Sequence, residues 1–460
     1  MADCAHEQRR CKSDHGGGDL EAASSLFAPL LAASFLQLLY NTADTIIVGR
    51  YVGNIALTAV GGSAGQIYAM VTEFLIGVSG GAGVILSQAY GAREKKLLDD
   101  GLHNAIALAL ALGAAFTLIG VVLAGPALRL AGAPGETMGQ SVLYLRIVFA
   151  GIAAHALYNM GAGVLRAVGD SRRPLYFLLI SSGLNIALDL LFVAVLRLGI
   201  GGAALATILS QALSAALVLR TLIRGTGRPL MPKLNLRRLR LQRDVALKML
   251  RLGVPLGFET LMYTFSCVVL TSAVNTFGTD TVAAYAGFVR IESFYWILEA
   301  AFAMSITTFV GQNLGAGRMD RVHRVVREGA ALMYLFMGTA IVIMYVFCPQ
   351  WLGLFTTDRG VIEIGVGMMR YLLPFYIFYI PNGVYFSTLR GMGDSLRPTL
   401  ITFLGVCVLR IFWVAFVFPR FPSIRALLLC FPVSWCVTAL IYTVYYRIFM
   451  KKYSALGKSG

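Results

Sequence analysis

Twelve apolar stretches of about twenty residues or more run through this sequence, separated by short polar segments. As a helix, such a stretch is long enough to cross the hydrocarbon core of a bilayer, which is about 30 Å thick. Lipid offers no hydrogen-bond partners, so a spanning segment must be a helix or part of a closed barrel, and these stretches are too long for barrel strands. Only 13% of the 460 residues are charged, about half the fraction in a soluble domain. The sequence therefore predicts an all-α polytopic membrane protein.

The apolar stretches form two groups of six on either side of a basic segment. The first group is predicted at Ser24–Val48, Ala59–Gln88, Gly101–Ala124, Ser141–Gly163, Leu175–Leu196 and Gly201–Leu222. The second group is predicted at Ala246–Asn275, Val282–Gln312, Gly329–Phe347, Val361–Leu389, Thr399–Phe418 and Leu427–Tyr446. The expected division is a tail at 1–23, an N-lobe at 24–222, a basic linker at 223–245, a C-lobe at 246–446 and a tail at 447–460.

Arginine and lysine concentrate in the loops after the even-numbered spans, in the linker and after the last span. Cytoplasmic loops carry such an excess, so both termini are expected on the cytoplasmic side of the membrane. The linker would lie near anionic headgroups, which makes membrane lipid an expected partner. Topology thus accounts for the formal net charge of +16, and we expect no nucleic-acid partner. The loop residues concerned are Arg93, Lys95, Lys96, Arg172, Arg173, Arg318, Arg321, Arg324, Arg327 and Arg397.

One ten-residue segment occurs twice. Leu165–Pro174, L-R-A-V-G-D-S-R-R-P, returns 224 residues later at Leu389–Pro398 as L-R-G-M-G-D-S-L-R-P. The same offset relates Q-A-Y-G-A-R at Gln88–Arg93 to Q-N-L-G-A-G-R at Gln312–Arg318. A fixed offset indicates internal duplication. Because six spans separate the copies, we expect two parallel repeats related by an axis along the membrane normal.

Each copy of the doubled segment lies between two apolar stretches and is expected to be a structural hinge. Asp or Ser suits the cap of the following helix, and Pro suits its first turn. We hypothesise that Arg166 and Arg390 pair with the aspartate of their own copy. Gating by the hinge is the alternative hypothesis.

Two carboxylates lie inside predicted spans of the first half, Asp44 in the first and Asp189 in the fifth. Ionisable residues at membrane depth are costly and mark ion pathways or proton relays. Both spans run outward, so the two carboxylates reach similar depth. Tyr40 and Asn185 each lie four residues before one of them, on the same helix face. We expect one polar cluster that takes up a cation; the alternative is a buried polar knot that joins helices.

The second half carries a different set of charges within its spans. Glutamates and aromatic rings together can hold an organic cation, the rings through their faces. The alternative is that the glutamates pair structurally and the rings pack in the core or at the membrane interface. The expected substrate-binding residues are Glu259, Glu292, Glu299, Tyr263 and Trp296.

Several of these features together resemble the multidrug and toxic compound extrusion (MATE) family. They are the twelve spans, a proline in spans one and seven, V-G-Q-N-L-G-A-G at 310–317, the doubled hinge and L-N-I-A-L-D at 184–189. The likeness covers the chain from about Ser24 to Tyr446. It implies a cation-coupled exporter whose two six-helix lobes enclose a V-shaped cavity.

The resemblance also implies roles for single residues. The tenth predicted span, Val361–Leu389, has no aspartate in its interior, so the chain looks more like the DinF branch than the NorM branch. The positions that match the family's N-lobe cation site are Asp44, Asp189, Asn185, Asn159, Thr207 and Tyr40.

The function expected from the sequence is multidrug efflux of small organic cations or amphipathic drugs across a prokaryotic plasma membrane in exchange for protons, with sodium as the alternative coupling ion. We expect no enzymatic activity, no cofactor, no metal site, and a monomer. A lipid or lipid-linked saccharide flippase of the same superfamily is the alternative function. A major facilitator transporter is a poor match, because the loop at Gly91–Leu97 reads G-A-R-E-K-K-L instead of that family's G-x-x-x-D-R-x-G-R-R.

Overall fold

The computed structural model describes residues 29–33, 36, 47, 49–52, 59–228 and 230–456. Tyr40, Asp44 and most of the first predicted span lie outside this range. The helices of the first half are α1 (Ser63–Gly91), α2 (Lys95–Leu130), α3 (Gly135–Ala150), α4 (Ile152–Ala167), α5 (Arg172–Asp189) and α6 (Gly199–Arg224). Those of the second half are α7 (Arg243–Val274), α8 (Thr279–Gly315), α9 (Met319–Val346), α10 (Cys348–Gly353), α11 (Arg359–Leu372), α12 (Ile380–Gly391), α13 (Leu396–Thr402), α14 (Leu409–Phe412), α15 (Ile424–Leu428) and α16 (Cys430–Leu456).

Within the described ranges, ten helices are long and apolar enough to cross a membrane, and the pair α3 and α4 makes an eleventh, bent by 46°. The prediction of an all-α polytopic membrane protein is thereby confirmed. The bend lies at Gly151, where a β-carbon would collide with Ile208 of α6. Glycine therefore allows α6 to pack directly against the bend.

The buried apolar side chains form two main clusters. One joins side chains of α1–α6, and the other joins side chains of α7–α12, α15 and α16. The beginning of α7 is an exception, because Met249 is fully buried in the first cluster. Each half thus has its own core, and α7 crosses from one to the other.

The lobes meet where α1 crosses α7. Gly77 and Gly81 of α1 face Gly257 and Gly253 of α7. A β-carbon on Gly77 would lie 2.5 Å from the Gly257 nitrogen, and one on Gly81 would lie 2.5 Å from the Gly253 nitrogen. Within each helix the two glycines have the G-x-x-x-G spacing that lets membrane helices touch backbone to backbone.

The doubled hinge forms the same turn in both copies. Gly169 and Gly393 have φ of +81° and +89°. The backbone N–H of the following aspartate donates a hydrogen bond to the carbonyl of Leu165 in one copy and of Leu389 in the other. This is the Schellman arrangement that ends a helix on glycine in the left-handed region. The hinge glycine is therefore required by backbone conformation.

The charges of the hinge are arranged differently from the hypothesis. Asp170 accepts a hydrogen bond from the backbone N–H of Arg173 and lies 3.4 Å from its guanidinium. Asp394 lies 3.6 Å from the guanidinium of Arg397. Each aspartate thus pairs with the arginine three residues after it, because the short turn brings the aspartate next to the first turn of the following helix.

The basic linker is hydrogen-bonded to the first turns of α2. The backbone N–H of Asn235 donates to His103 Nε2 at 3.1 Å, and that of Gln242 donates to Asn104 Oδ1 at 2.6 Å. The linker, both hinges and the loops at 92–94 and 316–318 all lie at one end of the bundle, which we call the basic side.

Candidate functional site

A cavity of about 350 Å³ lies between the two lobes. Its wall combines small residues of α1 with polar residues of α7, α8 and α12. Three glutamates and two arginines carry its charge: Glu73, Glu259, Glu299, Arg166 and Arg390. Of the residues expected to bind substrate, Glu259 and Glu299 are in this wall.

Two glycines make room for charged side chains in the cavity. A β-carbon on Gly383 of α12 would lie 2.8 Å from Glu299 Oε1. A β-carbon on Gly80 of α1 would collide with the Arg390 guanidinium, which therefore reaches from the C-lobe onto an N-lobe helix. Arg390 shares the cavity wall with Glu259 and Glu299. The cavity thus holds an acidic pair that is partly balanced by a lobe-crossing arginine.

Glu292, Tyr263 and Trp296 form an aromatic cluster beside the cavity, in which Glu292 is buried and the two rings are half-buried. Trp296 Nε1 donates to Glu292 Oε1 at 2.8 Å, and the Trp296 ring meets the Tyr263 ring edge-on at 6.1 Å between centroids. Tyr379, which does line the cavity, stands edge-on to Trp296 at 4.8 Å. These three predicted residues are therefore connected to the cavity through Tyr379.

Arg410 of α14 is a fully buried cation in the same cluster, and the sequence analysis missed it. Its guanidinium lies 4.3 Å from the Phe431 ring centroid and 5.5 Å from that of Tyr263. Its Nε donates to Ser434 at 3.2 Å. Such geometry is a cation–π arrangement. The available signal was a lone arginine within an apolar run, which is as informative as a lone glutamate.

Asn185 and Asp189 are both fully buried in the N-lobe, with no measurable exposure. They lie four residues apart on α5, so they share a face. Asp189 is the last residue of α5, and a π-helical turn, Leu190–Val195, follows it directly. π-turns often accompany functional positions in helices. The structure thus brings the predicted fifth-span pair together at a helix irregularity.

A second polar group of the N-lobe contains Asn159. Its Nδ2 lies 3.0 Å from His155 Nε2, and the His155 ring stands edge-on to Tyr68 of α1. Tyr68 in turn is hydrogen-bonded to Gln211 of α6. Thr207, four residues before Gln211 on the same face, donates to the Ala203 carbonyl of its own helix. This second polar group thus joins α1 to α6 by the Tyr68–Gln211 hydrogen bond and α1 to α4 by the Tyr68–His155 ring contact.

Of this second group, the sequence analysis identified Asn159 and Thr207 only through the family resemblance, and it missed His155. A histidine in the apolar run A-A-H-A-L-Y-N-M is an ionisable residue at membrane depth. Its contacts with Tyr68 and Asn159 depend on helix packing and were not visible in the sequence.

The arrangement separates two kinds of chemistry. The inter-lobe cavity offers carboxylates and the aromatic rings of Tyr379, Phe386 and Tyr442, which together suit a large organic cation. The buried Asp189 carboxylate and the Asn185 amide offer oxygen ligands for a proton or a small cation. No catalytic constellation is found among the described residues.

Comparisons with known proteins agree with this architecture. The MatE family model matches residues 29–191 and 255–415, one match in each half. The probable multidrug resistance protein YoeA of Bacillus subtilis is 30% identical over 436 residues, which cover 93% of this chain and 94% of that protein. A solved MATE structure in the bent conformation superimposes with a TM-score of 0.87 at 24% identity, covering 95% of this chain and 96% of the other.

A further solved structure is the outward-facing conformation of a multidrug resistance MATE family transporter of the MOP superfamily. It superimposes with a TM-score of 0.86 at 25% identity and covers 95% of this chain and 96% of its own. With a family match in both halves, a relative that covers nearly the whole chain and the same fold, this chain belongs to the MATE family of multi-pass membrane transporters.

Proposed function

We propose that this protein is a secondary active antiporter that exports cationic or amphipathic organic compounds in exchange for protons. The observation that carries the proposal is the separation of a fully buried carboxylate, Asp189, from an inter-lobe cavity with three glutamates. Antiport needs two sites whose ligands favour different states of one conformational equilibrium. The relative from Bacillus subtilis is described as a probable multidrug resistance protein, which supports an organic substrate.

In the proposed mechanism, the outward-facing protein takes up a proton at Asp44 and Asp189. The first span then repacks and expels the substrate from the cavity. Return to the inward-facing state releases the proton. The exchange follows because the proton and the substrate bind preferentially to different conformations, so each lowers the affinity for the other.

The test is ethidium transport by the purified protein in proteoliposomes under an imposed pH gradient. Asp189→Asn keeps the shape of the side chain and removes its charge, so we expect proton-driven transport to be lost. Asp280→Asn, at the exposed start of α8, is the matched control and should transport at the wild-type rate. Proton-driven transport by Asp189→Asn at the wild-type rate would refute the proposed relay.

Two further arms of this assay separate the alternatives. A sodium gradient replaces the pH gradient, because a carboxylate with an asparagine can also coordinate sodium; transport driven by sodium alone would make sodium the coupling ion. A fluorescent phospholipid replaces ethidium in the second arm. Movement of the lipid without drug transport would favour a flippase of the same superfamily.

The remaining proposals concern the cellular context. We place the protein in a prokaryotic plasma membrane with both termini in the cytoplasm, because the basic side would then face inward. We assign it to the DinF branch, because the interior of the tenth predicted span contains no aspartate. A monomer suffices, because each chain contains both lobes and the cavity between them.

A further inference from the structure

Two glutamines connect the lobes on the basic side. Gln88, near the end of α1, donates through Nε2 to the carbonyl of Gly391 at 2.8 Å. Gln312, near the end of α8, donates through Nε2 to the carbonyl of Ala167 at 2.7 Å. Donors and acceptors are both 224 residues apart, so the duplication relates the two bonds. Each half supplies the donor for the other half's hinge.

The acceptors are carbonyls that the fold leaves available. Ala167 and Gly391 are the last residues of α4 and α12, and the last carbonyls of a helix have no partner within it. In the Schellman turn after α4, the backbone N–H groups donate to the carbonyls of Leu165 and Arg166. In the corresponding turn after α12, they donate to the carbonyls of Leu389 and Arg390. The hinge conformation thus leaves the carbonyls of Ala167 and Gly391 to partners outside their own turns.

Glycines bring the two donor helices into direct contact at the same level. A β-carbon on Gly91 would collide with the Gln312 carbonyl, and one on Gly315 would collide with the Gln88 carbonyl. The backbones of α1 and α8 therefore touch, and the glutamine side chains extend from this contact to the hinges. No side chain separates the two helices at this contact, so the two lobes are in direct contact on the basic side.

We infer that Gln88 and Gln312 form a paired latch that holds the basic side of the transporter closed. Because each bond joins one half of the chain to the other, both bonds must break before the lobes can separate on this side. Water replaces both bonds once the lobes part, so each bond biases the equilibrium by only about fivefold. A bias of this size keeps the closed state favoured and still allows opening. The latch goes beyond the proposed coupling mechanism, because it involves neither substrate nor coupling ion.

The test is hydrogen–deuterium exchange on the full-length protein in lipid nanodiscs, without substrate or ion gradient. Gln88→Met and Gln312→Met keep the length of the side chain and remove the donor. Gln66→Met, at an exposed position of α1, is the matched control. In each latch variant we expect peptides at both hinges to exchange about fivefold faster, and about 25-fold faster in the double variant. The control should exchange like the wild type.

Three outcomes would overturn the inference. The first is exchange at the wild-type rate in the latch variants. The second is acceleration confined to the hinge that lost its own bond, because the two bonds would then not open together. The third is equal acceleration at the loops of the opposite side, because this would mean general loosening of the fold. Since the experiment contains no transport step, its failure is distinct from failure of the antiport mechanism.

Discussion

The contact between α1 and α7 predicts a strong effect of the smallest possible substitution, Gly81→Ala. The added β-carbon would lie 2.5 Å from the Gly253 nitrogen and 2.6 Å from the Met249 carbonyl oxygen. Both neighbours are backbone atoms of α7, so no side-chain rotation relieves the collision. Since non-bonded heavy atoms prefer about 3.5–4.0 Å, the two helices must separate by about 1 Å.

The size of the effect follows from the packing of the crossing. Overfilling a well-packed contact costs about 1–3 kcal/mol. The helix preference of alanine over glycine offsets up to about 1 kcal/mol of this cost, so the net loss of stability is up to about 2 kcal/mol. Gly253→Ala should behave similarly, because its β-carbon would lie 2.6 Å from the Val78 Cα. Once one substitution has separated the helices, the second costs less. The stability lost in the double variant should therefore be smaller than the sum of the losses in the two single variants.

The measurement is the apparent melting temperature in detergent, determined by size-exclusion chromatography of heated samples. Gly338→Ala of α9 is the matched control, because a β-carbon there has nothing within 4 Å. Gly81→Ala should melt a few degrees below the wild type, and Gly338→Ala should melt at or slightly above it. A Gly81→Ala protein as stable as Gly338→Ala would refute the backbone-contact interpretation, as would full additivity in the double variant.

Two further substitutions test the cavity and the aromatic cluster. Gly383→Ala should displace the Glu299 carboxylate, which lies 2.8 Å from the new β-carbon, and should raise the KM for a cationic drug a few fold with little change in melting temperature. Gly367→Ala, where a β-carbon meets nothing within 4 Å, is the control and should leave the KM unchanged. An unchanged KM in Gly383→Ala would argue against substrate contact by Glu299. Arg410→Lys should lower stability by about 1–2 kcal/mol, because lysine loses the planar stacking on Phe431 and is more strongly hydrated; wild-type melting of this variant would show that the stacking contributes little.

Much of the architecture could be predicted from local sequence properties. Each long apolar run must be a helix because lipid cannot satisfy an open backbone, and this argument needs no knowledge of neighbouring helices. The doubled hinge likewise predicted two similar halves. Its glycines could also have been interpreted locally, because a left-handed residue after a helix strongly favours glycine.

The candidate site was predictable only in part. Glu292 and Glu299 share one face of α8 by spacing, yet Glu299 lines the cavity and Glu292 hydrogen-bonds Trp296 in the aromatic cluster. That difference depends on how α12 packs against α8. Asn185 and Asp189 were predictable as a pair, because four residues of one helix bring them to one face.

The sequence by itself determined the helical membrane fold, the two repeated halves and the residue types available to bind cations. These follow from the bilayer and from spacing within single helices. Only the tertiary structure decided which lobe Arg390 reaches, which carbonyls receive Gln88 and Gln312, and which glycines carry the inter-lobe contact. Each of these contacts joins residues of different halves, and their partners are set by the packing of whole helices, because no local rule of the chain specifies a neighbour hundreds of residues away.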